Sequence, residues 1–302
     1  MFGKGGKLVT HQYQVELVLD SKATLGEGPS WDTEKKWLSW IDIVEQKVHI
    51  FNPDTKRNRT IVVDQNVGAA VPRKSGGFVL ALRDGFYTLD IMTEQLTPIA
   101  HPERYLPNNQ FNDGKCDSGG RFWAGTMEGN ETKGAGSLYC LDIDHTVRKM
   151  IENVTVSNGL TWSPDNKTMY YIDTPTLQIV AYDFNQETGS IQNKRVVVNI
   201  PPKTGNPDGM TSDMEGMLWV AHWGGYQVTR WNPFTGKLLN SIPIPAPIVT
   251  SCSFGGEKMD ELFVTTARIG LPEELLEKYP AAGGLFRIQT DVKGIPMYPF
   301  GG

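Results

Sequence analysis

The sequence predicts an all-β chain folded as a six-bladed propeller with four-stranded blades, and three observations carry that prediction. A hairpin signature recurs six times along the 302 residues. Successive copies lie roughly 40–50 residues apart, the length of a propeller blade. Helical periodicity is nearly absent.

The copies are GEGPSWDTEKKWLSWIDI (26–43), FNDGKCDSGGRFWAGTM (111–127), SNGLTWSPDNKTMYYIDT (157–174), PDGMTSDMEGMLWVAHW (207–223) and TSCSFGGEKMDELFVTTA (250–267), with a weaker one at GAAVPRKSGGFVLALRDG (68–85). Each has a short strand, a tight turn rich in Asp, Gly and Lys, and a second strand rich in aromatic and β-branched residues. Further pairs of strand-like runs follow, such as KVHIFNP with RTIVVD and QIVAYDF with KRVVVNI, which brings each unit to four strands. Ahead of the first unit stands the amphipathic run QVELVLD (14–20). It is expected to pair in the last blade, closing the ring and removing a free sheet edge; an open solenoid is the competing architecture. One helix is expected, in LPEELLEKY (271–279), where Pro stands second and acidic residues fill the first turn. Residues 1–302 are read as a single propeller domain, with 1–13 as a flexible N-terminal tail.

Composition excludes several classes. The 32 Gly and 19 Pro exceed usual levels of roughly 7% and 5% and fit a chain that turns often. A net charge of −5 without a long basic run lacks the footprint of a nucleic-acid partner. No window approaches the roughly 20 apolar residues of a membrane helix, and the start lacks the apolar core of a signal peptide. The expectation is therefore a soluble, unexported, cytoplasmic protein. Cys116, Cys140 and Cys252 form no CxxC, so neither a disulfide framework nor a thiolate zinc site is indicated and buried free thiols are expected.

The first strand of each propeller blade lines the central channel, so residues in equivalent register should converge. They are Glu27, Gly68, Asn112, Asn158, Asp208 and Thr250. Glu27, Asn112, Asn158 and Asp208 together offer two carboxylates and two amide carbonyls, a hard-oxygen set suited to Ca²⁺, Mg²⁺ or Mn²⁺. The alternative is that Asn and Asp before Gly serve as turn residues. A purely structural role should repeat the same residue in every blade, whereas these differ. The five His are scattered; His222, after the Asp208 hairpin, either lines the pocket or is structural. No nucleophile elbow, Walker loop or dinucleotide fingerprint occurs in its required context.

Several ordered motifs, LGEGPSWD, NNQFNDGKCDSGGRFWAGTM, SNGLTWSPDNKTMYYIDT, PDGMTSDMEGMLWVAHWGG and FGGEKMDELFVTTAR followed by YPAAGGLF, resemble the gluconolactonase, regucalcin (senescence marker protein) and luciferin-regenerating-enzyme family over nearly the whole chain. The last segment is most similar to the bacterial sugar-acid lactonases. The resemblance implies one divalent metal ion (Ca, Mg, Mn, Zn or Fe) on Glu27, Asn158 and Asp208, with Asn112 binding substrate. Asp113 is either a supporting or acid/base group or a turn-stabilising Asp. Two departures stand out. Many relatives carry Arg where this sequence has Gln110, and relatives such as regucalcin carry Glu where it has Asn130, with Glu128 close by. Gln110, Asn112, Glu128 and Asn130 are thus the expected substrate contacts.

The expected reaction is metal-dependent opening of an aldonic acid lactone of the xylono-, arabinono- or gluconolactone type, with Asp208 as the catalytic base. The alternatives are a non-catalytic divalent-metal or calcium-binding propeller and a hydrolase of a non-sugar lactone or ester. The sequence carries no signal for oligomeric state.

Overall fold

Six antiparallel four-stranded sheets follow one another along the chain. The computed structural model describes residues 13–302. The innermost strands are Gly26–Asp32, Val67–Pro72, Asn109–Cys116, Ser157–Trp162, Asn206–Ser212 and Ile248–Gly255. Each touches the inner strands of both neighbouring blades, so together they ring a central channel. This is the six-bladed propeller that the repeat predicts.

The ring closes as expected. Val15–Leu19 pairs antiparallel with Leu285–Gln289 and forms the outer edge of the sixth sheet. Just before it, the Tyr13 hydroxyl donates to Asp291 at 3.2 Å and its ring meets Trp219 edge-on. The rest of the expected tail over 1–13 lies outside the described residues. The expected helix is Glu273–Lys278, inserted between the second and third strands of the last blade. Among the described residues no helix is long and apolar enough to cross a membrane. All three cysteines are free and buried.

Burial follows position in the blade. The inner strands Val67–Pro72, Ser157–Trp162 and Ile248–Gly255 are buried on both faces, while outer strands such as Arg57–Val62 and Ser190–Asn199 are largely exposed. The apolar side chains gather at the six seams between neighbouring blades. Across the seam between last and first blades, Trp31 stacks on Phe263 with centroids 5.7 Å apart. Such pairs add about 0.5–1.5 kcal/mol beyond the area they bury. Buried polar groups are repeated too. Asp117 accepts from Trp123 Nε1 and Arg121, and in the fifth blade Asp213 accepts from Trp219 Nε1 and Arg230, so the same turn is clamped twice.

The C-terminal segment is a feature absent from the repeat. Gly294 bridges to Asp213 in the fifth blade, and Phe300 pairs with Arg73 in the second. Phe300 N–H donates to Pro72 O and its carbonyl accepts from Lys74, while Gly301 N–H reaches Gly120 O in the third. The segment is therefore a strap linking three blades. Phe300 is wholly buried. Truncating such a side chain costs about 3–5 kcal/mol where the site cannot collapse, so Phe300→Ala should lower the urea midpoint markedly; a change under about 1 kcal/mol would show that the strap is not anchored there.

Two buried imidazoles make stability depend on pH. His49 stacks on Trp40 at 4.0 Å with Nδ1 2.9 Å from Thr60 Oγ1, and His222 Nε2 lies 2.6 Å from Thr229 Oγ1. Burial lowers each to about 4 from the ordinary 6.5. The folded state thus keeps both neutral where the unfolded chain takes up protons, and the stability they contribute is complete above 6.5 and is lost as pH falls towards 4. Urea midpoints measured between pH 7.5 and 4.5 should fall more steeply for the wild type than for His222→Gln, and parallel profiles would contradict the assignment.

Candidate functional site

In every inner strand the pairing with the next strand breaks register at the same place. The breaks fall between Glu27 and Ser30, Val67 and Ala69, Phe111 and Gly114, Ser157 and Leu160, Pro207 and Met210, and Val249 and Ser251. Gly68, Asn112, Asn158, Asp208 and Thr250 fall within these breaks, and Glu27 immediately precedes its own. A bulge of this kind re-aims a side chain out of the ordinary alternation of a strand. Four of the six residues then line one cavity of about 430 Å³.

The breaks replace the turn that was the alternative explanation. Asn112, Asn158 and Asp208 lie inside strands, and Gly159 and Gly209 are absent from the positive-φ residues. Their glycines answer to crowding: a Cβ on Gly159 would meet Asp208 O at 2.6 Å, and one on Gly209 would meet Ser251 Oγ at 2.0 Å. The two blades whose equivalent residue does not line the cavity are constrained in the same way. A Cβ on Gly68 would strike Phe111 O at 2.5 Å. The Thr250 hydroxyl is taken up by Gly26 O and Thr265.

A second ring of side chains surrounds the first. Ile43, Met127, Thr174 and Trp223 occupy equivalent positions at the ends of the second strands of blades one, three, four and five, and all four line the cavity. Thr174 fixes Asn158. Asn158 Nδ2 donates to Thr174 Oγ1 at 3.0 Å, and Thr174 Oγ1 donates to Pro207 O at 2.9 Å. With the amide so oriented, the buried Asn158 Oδ1 has no hydrogen-bond partner, an arrangement that is costly unless a ligand supplies one. Asn112 is set from its other side, its Nδ2 donating to Ser157 O at 2.8 Å.

Electrostatics single out the same point. Burial, followed by repulsion from Asp208 and Asp113, raises the Glu27 carboxyl well above its ordinary range. Burial, followed by Asp113, does the same to Asp208, although Asn158 and the Gly209 N–H oppose it. Asp113 is itself raised by burial, against the opposing charge of Lys115. Ionised together, the three buried carboxyls and the Lys115 ammonium would leave two negative charges to be balanced. A divalent, oxygen-seeking ion fits both that charge and the unpartnered Asn158 Oδ1. Among the described residues, His, Cys, Asp and Glu alone gather into no metal-holding group of three; the set here includes an amide.

The expected substrate contacts divide. Gln110 lines the cavity with Asn112, its Oε1 accepting from Asn66 at 3.2 Å. Glu128 and Asn130 are not brought to it. The Glu128 carboxylate accepts from Asn130 N–H at 2.9 Å and from Thr132 Oγ1 at 2.8 Å, contacts that lower its pKa. It winds the loop in which Glu131 takes a left-handed backbone (φ 58°), and Glu131 is the carboxylate that lines the cavity. His222 is fully buried and outside the lining, so the structural alternative describes it. Asp113 is also outside the lining, its Oδ1 accepting from its own neighbour Gly114 at 2.7 Å. Sequence reasoning missed Thr174, Glu131, Asn206 and Trp223. A signal existed for Thr174: the first copy ends in Asp42-Ile43 and the fourth in Asp173-Thr174, a hydroxyl where its repeat partner is apolar.

Comparison with known proteins finds relatives over nearly the whole chain. Residues 25–268 match the family model described as "SMP-30/Gluconolactonase/LRE-like region". The chain is 41% identical over 288 residues to the Bacillus subtilis (strain 168) protein named "Putative sugar lactone lactonase YvrE", covering 95% of this chain and 98% of that one. It is 41% identical to regucalcin of Gallus gallus over 96% of this chain and 99% of the relative. The solved structure of a calcium-binding regucalcin from Agrobacterium tumefaciens superposes with a TM-score of 0.91 at 27% identity, covering 96% of this chain and 98% of that one. The chain belongs to the SMP-30/gluconolactonase/LRE-like family.

Proposed function

We propose that the protein is a metal-dependent lactonase that opens the ring of a neutral aldonic acid lactone, of the xylono-, arabinono- or gluconolactone type. The observation that carries this reading is the convergence of Glu27, Asn158 and Asp208 on one cavity, with a buried Asn158 Oδ1 lacking a partner. The name of the Bacillus subtilis relative supports a sugar lactone as substrate, and the calcium-binding character of the Agrobacterium tumefaciens regucalcin supports a divalent ion.

Glu27, Asn158 and Asp208 would hold the ion. When bound, it would supply the positive charge that keeps Glu27 and Asp208 ionised and the Lewis acidity that stabilises negative charge on a lactone carbonyl oxygen. Asp208, through the carboxylate oxygen left free, takes the proton of the attacking water as the new C–O bond forms. On cleavage of the ring C–O bond, Asp208 returns that proton to the departing alkoxide, which leaves as a hydroxyl; the carboxylic acid so formed loses its remaining proton to solvent, and the product carries a free carboxylate. Gln110, Asn112 and Glu131 hydrogen-bond the sugar hydroxyls, while Leu25, Ile43 and Trp223 form apolar walls for the carbon ring. A non-catalytic calcium-binding propeller is the second reading, favoured by the same oxygen-rich ligand set; turnover separates the two.

Asp208→Ala should abolish turnover and weaken metal binding at least about tenfold, because a carboxylate carries much of the attraction for a hard dication. Glu27→Gln keeps the shape and should also weaken binding. Calorimetric titration of the metal-free proteins checks both, and unchanged affinity in the two variants would remove the ligand assignment.

The cavity also constrains the substrate's charge. Among the described residues no Lys or Arg lines it, whereas Glu27, Glu131 and Asp208 do. Neutral lactones should therefore have higher kcat/KM than glucaro-1,4-lactone, which keeps a free carboxylate, or 6-phosphogluconolactone. Charged hydrogen bonds contribute roughly 1.5–3 kcal/mol where neutral ones give about 0.5–1.5, so an anion would find no matching anchor and would meet Glu131. A tenfold preference for the anionic compounds would overturn this.

A further inference from the structure

Beneath the cavity the channel holds a buried lysine that the proposed reaction does not use; burial works against its charge and the neighbouring Asp113 supports it. Lys115 stands on the inner strand of the third blade, and its Nζ donates to Met210 O on the inner strand of the fifth at 2.7 Å. Its ammonium therefore lies between two inner strands that line the site, one carrying Asn112 and the other Asp208. Lys115 and Asp113 line a small void together with Gly28, Ser251 and Met297, and neither lines the larger cavity. Asp113 repels charge on both Glu27 and Asp208, and Lys115 is the group that opposes Asp113.

We propose that Lys115 sets the charge of the metal site: its buried ammonium cancels Asp113, so that the ligands above it present two net negative charges and favour a divalent ion over a trivalent one. The inference rests on Glu27, Asn158 and Asp208 being the metal ligands. A trivalent ion gains more than a divalent one from each added negative charge, because Coulomb energy scales with the product of charges and is weakly screened in a buried channel. Lys115 thus acts without touching substrate or metal.

The test is a charge cycle read as binding, independent of turnover. Metal-free wild type, Lys115→Met, Asp113→Asn and the double variant are titrated calorimetrically with Ca²⁺ and with Tb³⁺, each protein first shown to be folded by its thermal melt. Lys115→Met should shift the affinity ratio towards Tb³⁺ by about tenfold or more. Asp113→Asn should shift it towards Ca²⁺, and the double variant should return to within about threefold of wild type. A structural role for Lys115 would weaken both ions alike and would not be restored by the second substitution. Ratios that stay unchanged in both single variants, or move in the same direction, overturn the proposal. If Lys115→Met does not fold, Asp113→Asn decides alone, and an unchanged ratio there overturns it. A wild type that binds neither ion, or an Asp208→Ala variant that binds as wild type does, removes the ligand assignment as well; normal binding lost in Asp208→Ala with flat ratios in the cycle removes only the role of Lys115.

Discussion

Around the propeller axis six inner strands pack backbone against backbone, and that closeness decides which residues can stand there. Gly68, Gly159 and Gly209 are glycines because a neighbouring strand occupies the space of a side chain. The residues that do carry side chains at the register breaks are forced into one small volume. Crowding and chemistry therefore have a common origin: the geometry that excludes a Cβ at Gly159 and Gly209 also brings Asn158 and Asp208 together. A ring of fewer contacts would relieve the glycines but disperse the side chains that line the cavity.

Concentrating carboxylates in a buried channel is unfavourable in itself, and the surroundings show how the fold sustains it. Hydrogen-bond donors are placed beside each charge, Gly28 N–H on Glu27 and Gly114 N–H on Asp113. Asn158 is oriented by Thr174 instead of turning to satisfy its own oxygen. Such orientation, fixed before any ligand arrives, is what allows polar groups in a dry site to act without reorganising. The apolar seams between blades hold the strands rigidly enough to keep it.

Much of this was legible in the sequence, because a repeat converts linear spacing into spatial register. Glu27, Asn112, Asn158 and Asp208 could be matched without any coordinates, and the amphipathic run at 14–20 marked the closing strand. Residues delivered by loops were not legible in that way. Glu131 enters the cavity because Glu128 winds the loop around its own carboxylate, and sequence distance from Thr126 does not reveal which of Glu128, Asn130 and Glu131 will face inwards. The strap at 294–301 has no counterpart in other units, so no pattern could announce that Phe300 is buried. Thr174 lies between these cases, since its difference from Ile43 was visible but its hydrogen bond to Asn158 was not.

The closing strand has a consequence for how the molecule is made. Val15–Leu19 is synthesised before its partner Leu285–Gln289, and at roughly 5–20 residues per second it waits on the order of tens of seconds for that partner. During the wait neither edge is covered, and an uncovered edge accepts any strand of matching pattern. The last blade is joined to the first strand by hydrogen bonds and side-chain packing alone, with every covalent connection running the other way round the ring. The strand from a neighbouring copy fits that edge equally well, so two nascent chains held close together would complete each other's rings by exchange. Glu16, bonded to Arg287 across the pair, adds charge to a strand that must stay soluble until it docks.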